Sequence, residues 1–261
     1  MINNVKYIHE ETIHNLKDPK IIVPYIYEIF KPNSVVDLGC GLGTFLYVFK
    51  EHGVKTILGL DGKWVDKEKL FRNIPKECFY EIDIEEGLKI DNKFDLALCL
   101  EVLEHVDEKY ADQAIEVLTN LSDRIVFSAA IPGQGGQNHV NEQWIEYWRF
   151  KFNEKGFEIY DIFRPYFWNN KELAVWYKQN LFLFVKKNTD FDISKIQKQT
   201  NSSINDYIHP NLFTQKTIDI NELTTQKSKL SDEISKIKNG EKPLRFYLKL
   251  LLKHTRSFFN Y

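Results

Sequence analysis

Short apolar runs alternate with segments of helical spacing through the first half of the chain. Each run has the β-branched, alternating apolar character of a buried strand, and the segments between them place apolar side chains on one helix face. The predicted strands are 35–38, 56–61, 78–84, 94–100 and 125–130. Because strands that alternate with helices usually pair in parallel, the pattern predicts a parallel sheet with helices on both faces.

The flanking regions complete the predicted fold. Residues 7–30 are predicted as one or two helices broken at Asp18-Pro19, and residues 142–154 as an aromatic-rich helix that ends before Gly156. Two closing strands are predicted at 157–163 and 180–186. The expected fold class is α/β, a doubly wound seven-stranded sheet, mostly parallel with an antiparallel last strand, plus N-terminal helices and a C-terminal helical tail.

A glycine-rich turn follows the first predicted strand. Gly39, Gly41 and Gly43 stand at alternate positions, and glycine lets the backbone adopt positive φ and approach a ligand closely. This G-x-G-x-G spacing differs from the G-x-G-x-x-G that cradles a pyrophosphate. Asp37 precedes the turn by two residues, which favours a ligand with a cationic amino group over a diphosphate.

Acidic residues follow the next predicted strands. Asp61, about 20 residues past the glycines, is placed to accept hydrogen bonds from ribose hydroxyls. Asp83 is placed to accept from an adenine amino group, and Glu101 follows the fourth strand. Singly, each aspartate could instead cap a turn or a helix. Their shared register with one glycine turn favours a nucleoside site.

These segments together resemble those of one enzyme family. The run V-V-D-L-G-C-G-L-G-T-F, the two aspartates and the run F-D-L-A-L-C-L-E-V-L-E-H-V resemble class I S-adenosylmethionine-dependent methyltransferases over roughly residues 30–187. The resemblance implies a Rossmann-like fold and S-adenosylmethionine as the cofactor. The cofactor-binding residues that it implies are Asp37, Gly39, Cys40, Gly41, Gly43, Asp61, Gly62, Asp83, Ile84, Leu100 and Glu101.

Composition indicates which partners and which cellular compartment to expect. Lys and Arg number 35 against 37 Asp and Glu, so the chain has no general nucleic-acid signature. Cys40, Cys78 and Cys99 show neither metal-ligand spacing nor a disulfide framework. The first residues contain no apolar signal region, and no segment has the length of a transmembrane helix. We therefore expect a cytoplasmic protein with no metal site.

The residues after the fifth predicted strand are candidates for acceptor chemistry, because open α/β sheets bind ligands at the carboxyl ends of their strands. His139 is the first candidate for the general base, since an unperturbed imidazole titrates near neutral pH. The alternative is a loop histidine bonded to backbone. The candidate acceptor-binding residues are Gln134, Gln137, Asn138, Asn141 and Trp144. The amides among them could instead cap turns.

His105 is the second candidate base. Glu101 and His105 are spaced i, i+4, so one helix face would present both toward the cofactor. In the family that the chain resembles, this E-x-x-E-H pattern often serves position and packing more than proton transfer. His9 and His14 belong either to a lid over the site or to an exposed helix surface.

The loop P-G-Q-G-G-Q-N-H-V-N-E-Q-W has a narrower resemblance of its own. It is similar to a loop of small-molecule methyltransferases in bacterial capsule and surface-polysaccharide biosynthesis. That similarity implies an oxygen acceptor on a sugar, a nucleotide-linked sugar or a phosphoramidate modification. The residues after the fourth strand lack an N-P-P-Y-type run, which counts against methylation of base amino groups.

The predicted domains are an N-terminal helical lid (1–30), a cofactor-binding methyltransferase domain (31–187), a linker with a helical segment (188–235) and a basic amphipathic helix (236–261). From Lys236 onward the chain has seven Lys or Arg against one Glu. Such a helix can pack on the domain, form a homo-oligomer or lie on an anionic membrane surface. Packing or oligomerisation is favoured, because charged runs are usually solvated helix faces.

Three hypotheses of different kinds follow. The chain could be a small-molecule O-methyltransferase, with no nucleic-acid partner. It could be a nucleic-acid or protein methyltransferase that docks its substrate on the basic tail, in which case substrate binding would depend strongly on salt. It could also be a catalytically silent, cofactor-binding subunit that recruits a partner.

Overall fold

The computed structural model describes residues 7–12, 14–86, 90, 92–189, 191–192 and 207–258. The chain divides into two compact units, residues 1–212 and residues 213–261. The first unit contains the sheet and the helices that pack on it. The second unit is helical.

In the described part of the chain, seven strands form one sheet in the order β3-β2-β1-β4-β5-β7-β6. The strands are β1 (Ser34–Leu38), β2 (Thr56–Asp61), β3 (Phe79–Glu81), β4 (Leu96–Leu100), β5 (Arg124–Ser128), β6 (Phe157–Tyr160) and β7 (Phe182–Lys186). Neighbours from β3 to β5 are parallel, whereas β7 runs antiparallel to both β5 and β6. The predicted fold class is confirmed.

The helices of the first unit cover the sheet and fill its connections. They are α1 (Lys17–Phe30), α2 (Thr44–Glu51), α3 (Lys67–Asn73), α4 (Ala111–Leu121), α5 (Ile145–Glu154), α6 (Phe163–Phe167) and α7 (Val175–Asn180). Two further helices, α8 (Pro210–Lys238) and α9 (Leu244–Phe258), follow the last strand along the chain. The strand order reverses between the central strands β1 and β4. In open α/β folds, a crevice forms at such a reversal, outside the carboxyl ends of the two strands. Ligands of open α/β folds bind at this point.

Both faces of the sheet are buried, which explains the nearly continuous apolar runs of its strands. Val35 and Val36 are neighbours in β1, yet they belong to separate apolar clusters on opposite faces. On the second face, Phe152 of α5 stacks on Phe184 of β7, with ring centres 3.9 Å apart. Burying such a side chain contributes about 1.5–3 kcal/mol, so α5 is firmly seated next to β5 and β7.

Several predicted boundaries are wrong, each for a local reason. Pro19 does not break α1, because it lies in the first turn, where a missing backbone N–H leaves no helical hydrogen bond unmade. The third predicted strand shrinks to β3 because 3₁₀ turns flank it at Lys76–Cys78 and Ile84–Glu86. Helix α5 begins at Ile145 rather than at residue 142. The closing strands are also shorter than predicted, and α6 and α7 lie between them in the chain.

The second unit consists of most of α8 and all of α9. Gly240, with φ of 74°, follows the end of α8, so the predicted basic helix begins at Leu244 instead of Lys236. The Tyr247 hydroxyl donates to the carbonyl of Ile237 over 3.0 Å, which ties the start of α9 to the end of α8. In the described part of the chain, no helix is both long and apolar enough to cross a membrane. Residues 193–206 of the predicted linker lie outside the described residues.

Candidate active site

The glycine turn joins the carboxyl end of β1 to the N-terminus of α2. Gly39, Gly41 and Gly43 have φ angles of 79°, 53° and 72°, which side chains with a Cβ adopt only with strain. A Cβ on Gly39 would lie 2.4 Å from a Val102 methyl group, and one on Gly41 would lie 3.0 Å from the His9 ring. The turn therefore requires glycine both for its conformation and for its close neighbours.

Two buried carboxylates flank this turn. Asp61, at the end of β2, accepts hydrogen bonds from the N–H groups of Gly41 (2.7 Å) and Gly62 (2.6 Å). Burial raises the pKa of Asp61 to about 6, although these N–H groups lower it. Asp37 in β1 is 3% exposed, and burial together with the charge of Asp61 raises its pKa to about 7. Carboxylates held in this way favour a ligand that brings a positive charge and hydroxyl donors.

The remaining predicted cofactor residues lie along the same edge of the sheet. Asp83 is exposed, and its carboxylate accepts the N–H of Glu85 at 2.9 Å. The Ile84 carbonyl accepts from the Gln113 side chain at 2.8 Å. Leu100 is buried at the end of β4. Cys40 is also buried, and burial raises the pKa of its thiol well above the ordinary value, which agrees with a packing role.

Glu101 directly follows β4 and is held in an uncommon conformation. Its φ is 54°, in the left-handed region, so the prediction that one helix face carries both Glu101 and His105 is wrong. The Glu101 carboxylate accepts hydrogen bonds from Gln134 Nε2 (2.9 Å) and Asn180 Nδ2 (3.2 Å). Backbone strain of this kind persists where the surroundings fix it, and it is common at functional sites.

His139 and Glu142 organise the loop after β5. The Nδ1–H of His139 donates to the Glu142 carboxylate over 2.8 Å. The same carboxylate accepts the N–H groups of Gly133 (2.7 Å) and Gly135 (2.6 Å). The sequence predicts Glu142 as the first residue of a helix. Instead, Glu142 closes the loop on itself and directs the imidazole of His139.

Glu104 and His105 lie beside His139 in the 3₁₀ turn Leu103–His105. Glu104 is 0% exposed, and neither of its carboxylate oxygens makes a well-formed hydrogen bond among the described residues, although the backbone N–H groups of Glu104 and Ala130 lie nearby and lower its pKa. Burial and the charge of Glu101 raise its pKa well above the ordinary value. The rings of His105 and His139 meet edge to face at 4.8 Å, and burial with the proximity of His139 lowers the pKa of His105 to about 4. Ligand atoms of Glu104, His105 and His139 all lie within 4.8 Å of one another.

The N-terminal segment covers this cluster and the glycine turn. The Tyr7 ring lies 4.9 Å from the rings of both His9 and His105. Its hydroxyl is 3.3 Å from Nε2 of His14. Burial and the nearby charges, Glu104 first, raise the pKa of Tyr7 to about 12. The two N-terminal histidines thus lie at the site rather than on an exposed helix surface.

The predicted acceptor-binding residues fall into different environments. Gln134 joins the Glu101 network, accepting from Asn180 Nδ2 at 2.9 Å. Asn141 is buried, and its Oδ1 accepts from Gln143 at 3.0 Å. Trp144 lines a small cavity beside β5 and β7, together with Trp148 and Arg164 among others. Gln137 is half-buried and Asn138 is exposed, with φ of 59°. The loop therefore supplies polar groups close to both imidazoles.

Sequence reasoning missed four residues of this site: Tyr7, Glu104, Glu142 and Asn180. Glu104 carried a signal, since it is the second acid of the E-x-x-E-H run. Nothing in the spacing along the chain brings Asn180 to Glu101, which is 79 residues earlier. That contact depends on β7 inserting beside β5.

Comparison with known proteins agrees with the fold. A family model described as a methyltransferase domain matches residues 14–182. The tRNA U34 carboxymethyltransferase of Helicobacter pylori is 34% identical over 84 residues, which cover 30% of this chain and 32% of that protein. The chain thus spans about a third of the curated relatives that it matches.

One solved structure shares the fold at low identity, and a second is similar over a comparable part of the chain. The sugar N-methyltransferase KedS8 from Streptoalloteichus is 12% identical, with a TM-score of 0.52 over 67% of this chain and 90% of that one. Magnesium protoporphyrin IX methyltransferase from Synechocystis, with bound SAH, is 17% identical, with a TM-score of 0.48 over 66% of this chain and 83% of that one.

Proposed function

This chain belongs to the methyltransferase domain family, and we propose that it transfers a methyl group to an oxygen of a small hydroxylated molecule. Its cofactor is S-adenosylmethionine, whose sulfonium methyl is the electrophile. The acceptor that we favour is a sugar, a nucleotide-linked sugar or a phosphoramidate modification of a capsular or surface polysaccharide. The setting that we favour is a reducing cytoplasm, since all three cysteines are free.

The residues around the glycine turn fit this cofactor. Gly39 and Gly41 leave space for a ligand where a Cβ would collide with Val102 or His9. We assign the ribose hydroxyls to Asp61 and the cationic amino group to Asp37, whose buried charge such a group would offset. We assign the exposed carboxylate of Asp83 and the backbone of Ile84 to binding of the adenine.

One observation carries the choice of an oxygen acceptor: ligand atoms of Glu104, His105 and His139 lie within 4.8 Å of one another. The Tyr7 ring links His105 to His9, which borders Gly41 in the turn that would hold the cofactor. A hydroxyl is a weak nucleophile until its proton is removed or its oxygen is otherwise activated. Imidazole and carboxylate groups serve that purpose. The polar loop 131–144 supplies hydrogen-bonding groups of the kind that a polyhydroxylated acceptor needs, which supports the sugar class.

Transfer of labelled methyl groups tests this proposal. Full-length protein and S-adenosylmethionine with a labelled methyl are incubated with fractionated nucleotide sugars and polysaccharide precursors. We expect label in a hydroxyl-bearing small molecule and its loss in Asp61→Ala. Label that enters nucleic acid or protein instead would contradict the proposal. Transfer to no pool, with a second protein co-purifying, would favour the catalytically silent subunit.

A second candidate is a methyltransferase that acts on nucleic acid. The 34% identity to a tRNA-modifying enzyme over 84 residues favours it, as does the basic character of α9. Methylation of purified RNA, with an affinity that falls steeply as salt rises, would establish this function in place of the first. An affinity for RNA that does not change with salt would argue against it.

A further inference from the structure

Glu104 is a buried acid whose carboxylate has no cationic partner among the described residues. The residue is 0% exposed, and neither Oε atom makes a well-formed hydrogen bond in the part of the chain that the structure describes, although the backbone N–H groups of Glu104 and Ala130 lie close enough to lower its pKa. Burying an unpaired carboxylate is strongly unfavourable. Proteins offset that penalty by protonation, by a cationic partner or by a metal ion.

Two imidazoles share this space with Glu104. One ligand atom from each of Glu104, His105 and His139 lies within 4.8 Å of the other two. Ligand atoms at about 2.1 Å from one tetrahedral ion are roughly 3.4 Å apart, so small side-chain rotations would close the triangle. Two histidines and one carboxylate bind divalent first-row metals and leave coordination positions open for a substrate.

Contacts around the triangle orient both imidazoles as ligands. The Nδ1–H of His139 donates to Glu142, which directs the lone pair of its other nitrogen away from that carboxylate. The ring of His105 is hydrogen-bonded to the backbone of Gln137 and Asn138, while its buried Nδ1 is unpartnered among the described residues. Metal-bound histidines in proteins have this arrangement, since the second ring nitrogen donates to a carboxylate or a carbonyl.

We propose that Glu104, His105 and His139 bind one divalent first-row transition-metal cation that holds the acceptor hydroxyl. The role of the cation rests on the proposed function. A hydroxyl oxygen bound to a cation releases its proton to solvent more readily. That oxygen then forms the new C–O bond while the S–CH₃ bond breaks and its electron pair stays on sulfur. In this proposal His139 and His105 act as metal ligands and not as the general bases that the sequence predicts. The proposal also replaces the sequence-based expectation that the chain has no metal site.

Metal titration tests the site without any acceptor. Full-length protein is stripped with a chelator, dialysed and titrated by calorimetry with Mn²⁺ and, separately, with Zn²⁺. We expect one equivalent to bind the wild type, and binding roughly 10- to 100-fold weaker in Glu142→Gln, which alters a contact to the ligand His139. Glu104→Gln, His105→Gln and His139→Gln should weaken binding further.

His52→Gln is the matched control, because that ring bonds the Val48 carbonyl at the end of α2 and should not affect metal affinity. Unchanged affinity for S-adenosylmethionine in every variant shows that the variants are folded. No bound cation in the wild type, or wild-type affinity in both Glu104→Gln and His105→Gln, overturns the site.

The two proposals fail separately. Methyl transfer that persists at full rate in chelator-stripped protein overturns the role of the cation and leaves the proposed function standing. Stoichiometric metal binding without transfer to any hydroxyl upholds the site and contradicts the proposed function.

Helix α8 carries a second, independent observation. Six of its eight apolar residues fall on a series with alternating steps of three and four. They are Phe213, Ile220, Leu223, Leu230, Ile234 and Ile237, with Lys216 and Lys227 completing the series. The other two, Leu212, which is buried, and Ile218, lie outside it. Ile220, Leu223 and Leu230 are 62%, 64% and 63% exposed. A heptad stripe this narrow is typical of a coiled-coil seam, whereas a helix on a globular core presents a wider face.

We infer that this stripe pairs in parallel with the same stripe of a second copy of the chain. Ile220 and Ile234 occupy a positions and Leu223 and Leu230 occupy d positions, which favours two strands, and Lys227 at an a position sets the register. Charge favours the parallel arrangement. In parallel, Glu233 of one copy faces Lys238 of the other, whereas an antiparallel pair would bring Asp219 against Glu233.

Light scattering on the full-length protein tests this pairing. We expect a dimer that becomes a monomer when Leu223→Asp and Leu230→Asp are combined. The matched control combines Thr225→Asp and Ser228→Asp, which lie on the opposite face of α8, and it should remain dimeric. A wild type that is monomeric at every concentration, or a dimer that survives both leucine substitutions, overturns the inference.

Discussion

The imidazole of His139 and the carboxylate of Glu142 are joined by a hydrogen bond of 2.8 Å. The same carboxylate accepts the N–H groups of Gly133 and Gly135, so one side chain fixes both the direction of the ring and the shape of the loop. Burial raises the pKa of Glu142, but these hydrogen bonds outweigh it and hold the pKa below its ordinary value. Glu142 is therefore ionised at neutral pH.

Substituting Glu142→Ala should release this loop. Hydrogen bonds to a charged group contribute about 1.5–3 kcal/mol, so amide exchange at Gly133 and Gly135 should accelerate by roughly 10- to 100-fold. Hydrogen exchange followed by mass spectrometry measures this. The control is Glu146→Ala, an exposed residue in the first turn of α5 that pairs with Arg149. Equal exchange in the two variants would show that Glu142 does not order the loop.

Asp61→Ala should weaken the binding of S-adenosylmethionine. The substitution leaves the N–H groups of Gly41 and Gly62 without their acceptor and removes the proposed partner of the ribose. A buried polar group left unpaired costs about 1–3 kcal/mol, so the Kd from calorimetry should rise roughly 5- to 150-fold.

Asp83→Ala provides the comparison, because that carboxylate is exposed and should contribute less to affinity. An unchanged Kd in Asp61→Ala, or a larger loss in Asp83→Ala than in Asp61→Ala, would contradict the roles given to the two aspartates.

Asp37 should make the cofactor-free protein less stable as the pH rises. Its pKa is about 7 in the folded protein against an ordinary value of 3.8. A group with a raised pKa contributes its full stability below the ordinary value and loses it as the pH rises through the folded value. A shift of about three pKa units corresponds to up to about 4 kcal/mol of folding free energy. This pH-dependent loss of stability should be absent in Asp37→Asn.

Thermal melts of both proteins at pH 5 and pH 8 isolate this effect from other titrating groups. The melting temperature of Asp37→Asn minus that of the wild type should be more positive at pH 8 than at pH 5. S-adenosylmethionine, through its amino group, should reduce that difference in the wild type. A difference that does not vary with pH would show that Asp37 does not titrate in this range.

Much of the fold could be predicted from the sequence, because its strands are short apolar runs that differ plainly from the helices between them. The glycine turn and Asp61 were also predictable, since they are local to two consecutive strands. The predicted helix boundaries are wrong where one local sequence pattern is compatible with two structures. Pro19 can break a helix or sit in its first turn, and Glu142 can begin a helix or accept loop N–H groups.

The cluster of Glu104, His105 and His139 was less accessible to sequence reasoning. His139 and His105 were selected as alternative bases, yet their contact at 4.8 Å depends on the loop after β5 folding back over β4. Tyr7 reaches His105 from nearly a hundred residues away in the chain. The pairing of Glu101 with Asn180 requires the antiparallel β7 beside β5. Such contacts follow from topology, which residue spacing alone does not encode.

The most direct test of the account follows the methyl group onto its acceptor. Full-length protein is supplied with S-adenosylmethionine that carries a ¹³C methyl, and the product is identified by NMR in wild type and in His105→Ala/His139→Ala. The account predicts a ¹³C methyl ether on a small hydroxylated molecule, formed by the wild type and reduced about 10²-fold or more in the double variant, with cofactor affinity unchanged. A methyl on nitrogen, or an equal rate of ether formation in the double variant, would contradict it.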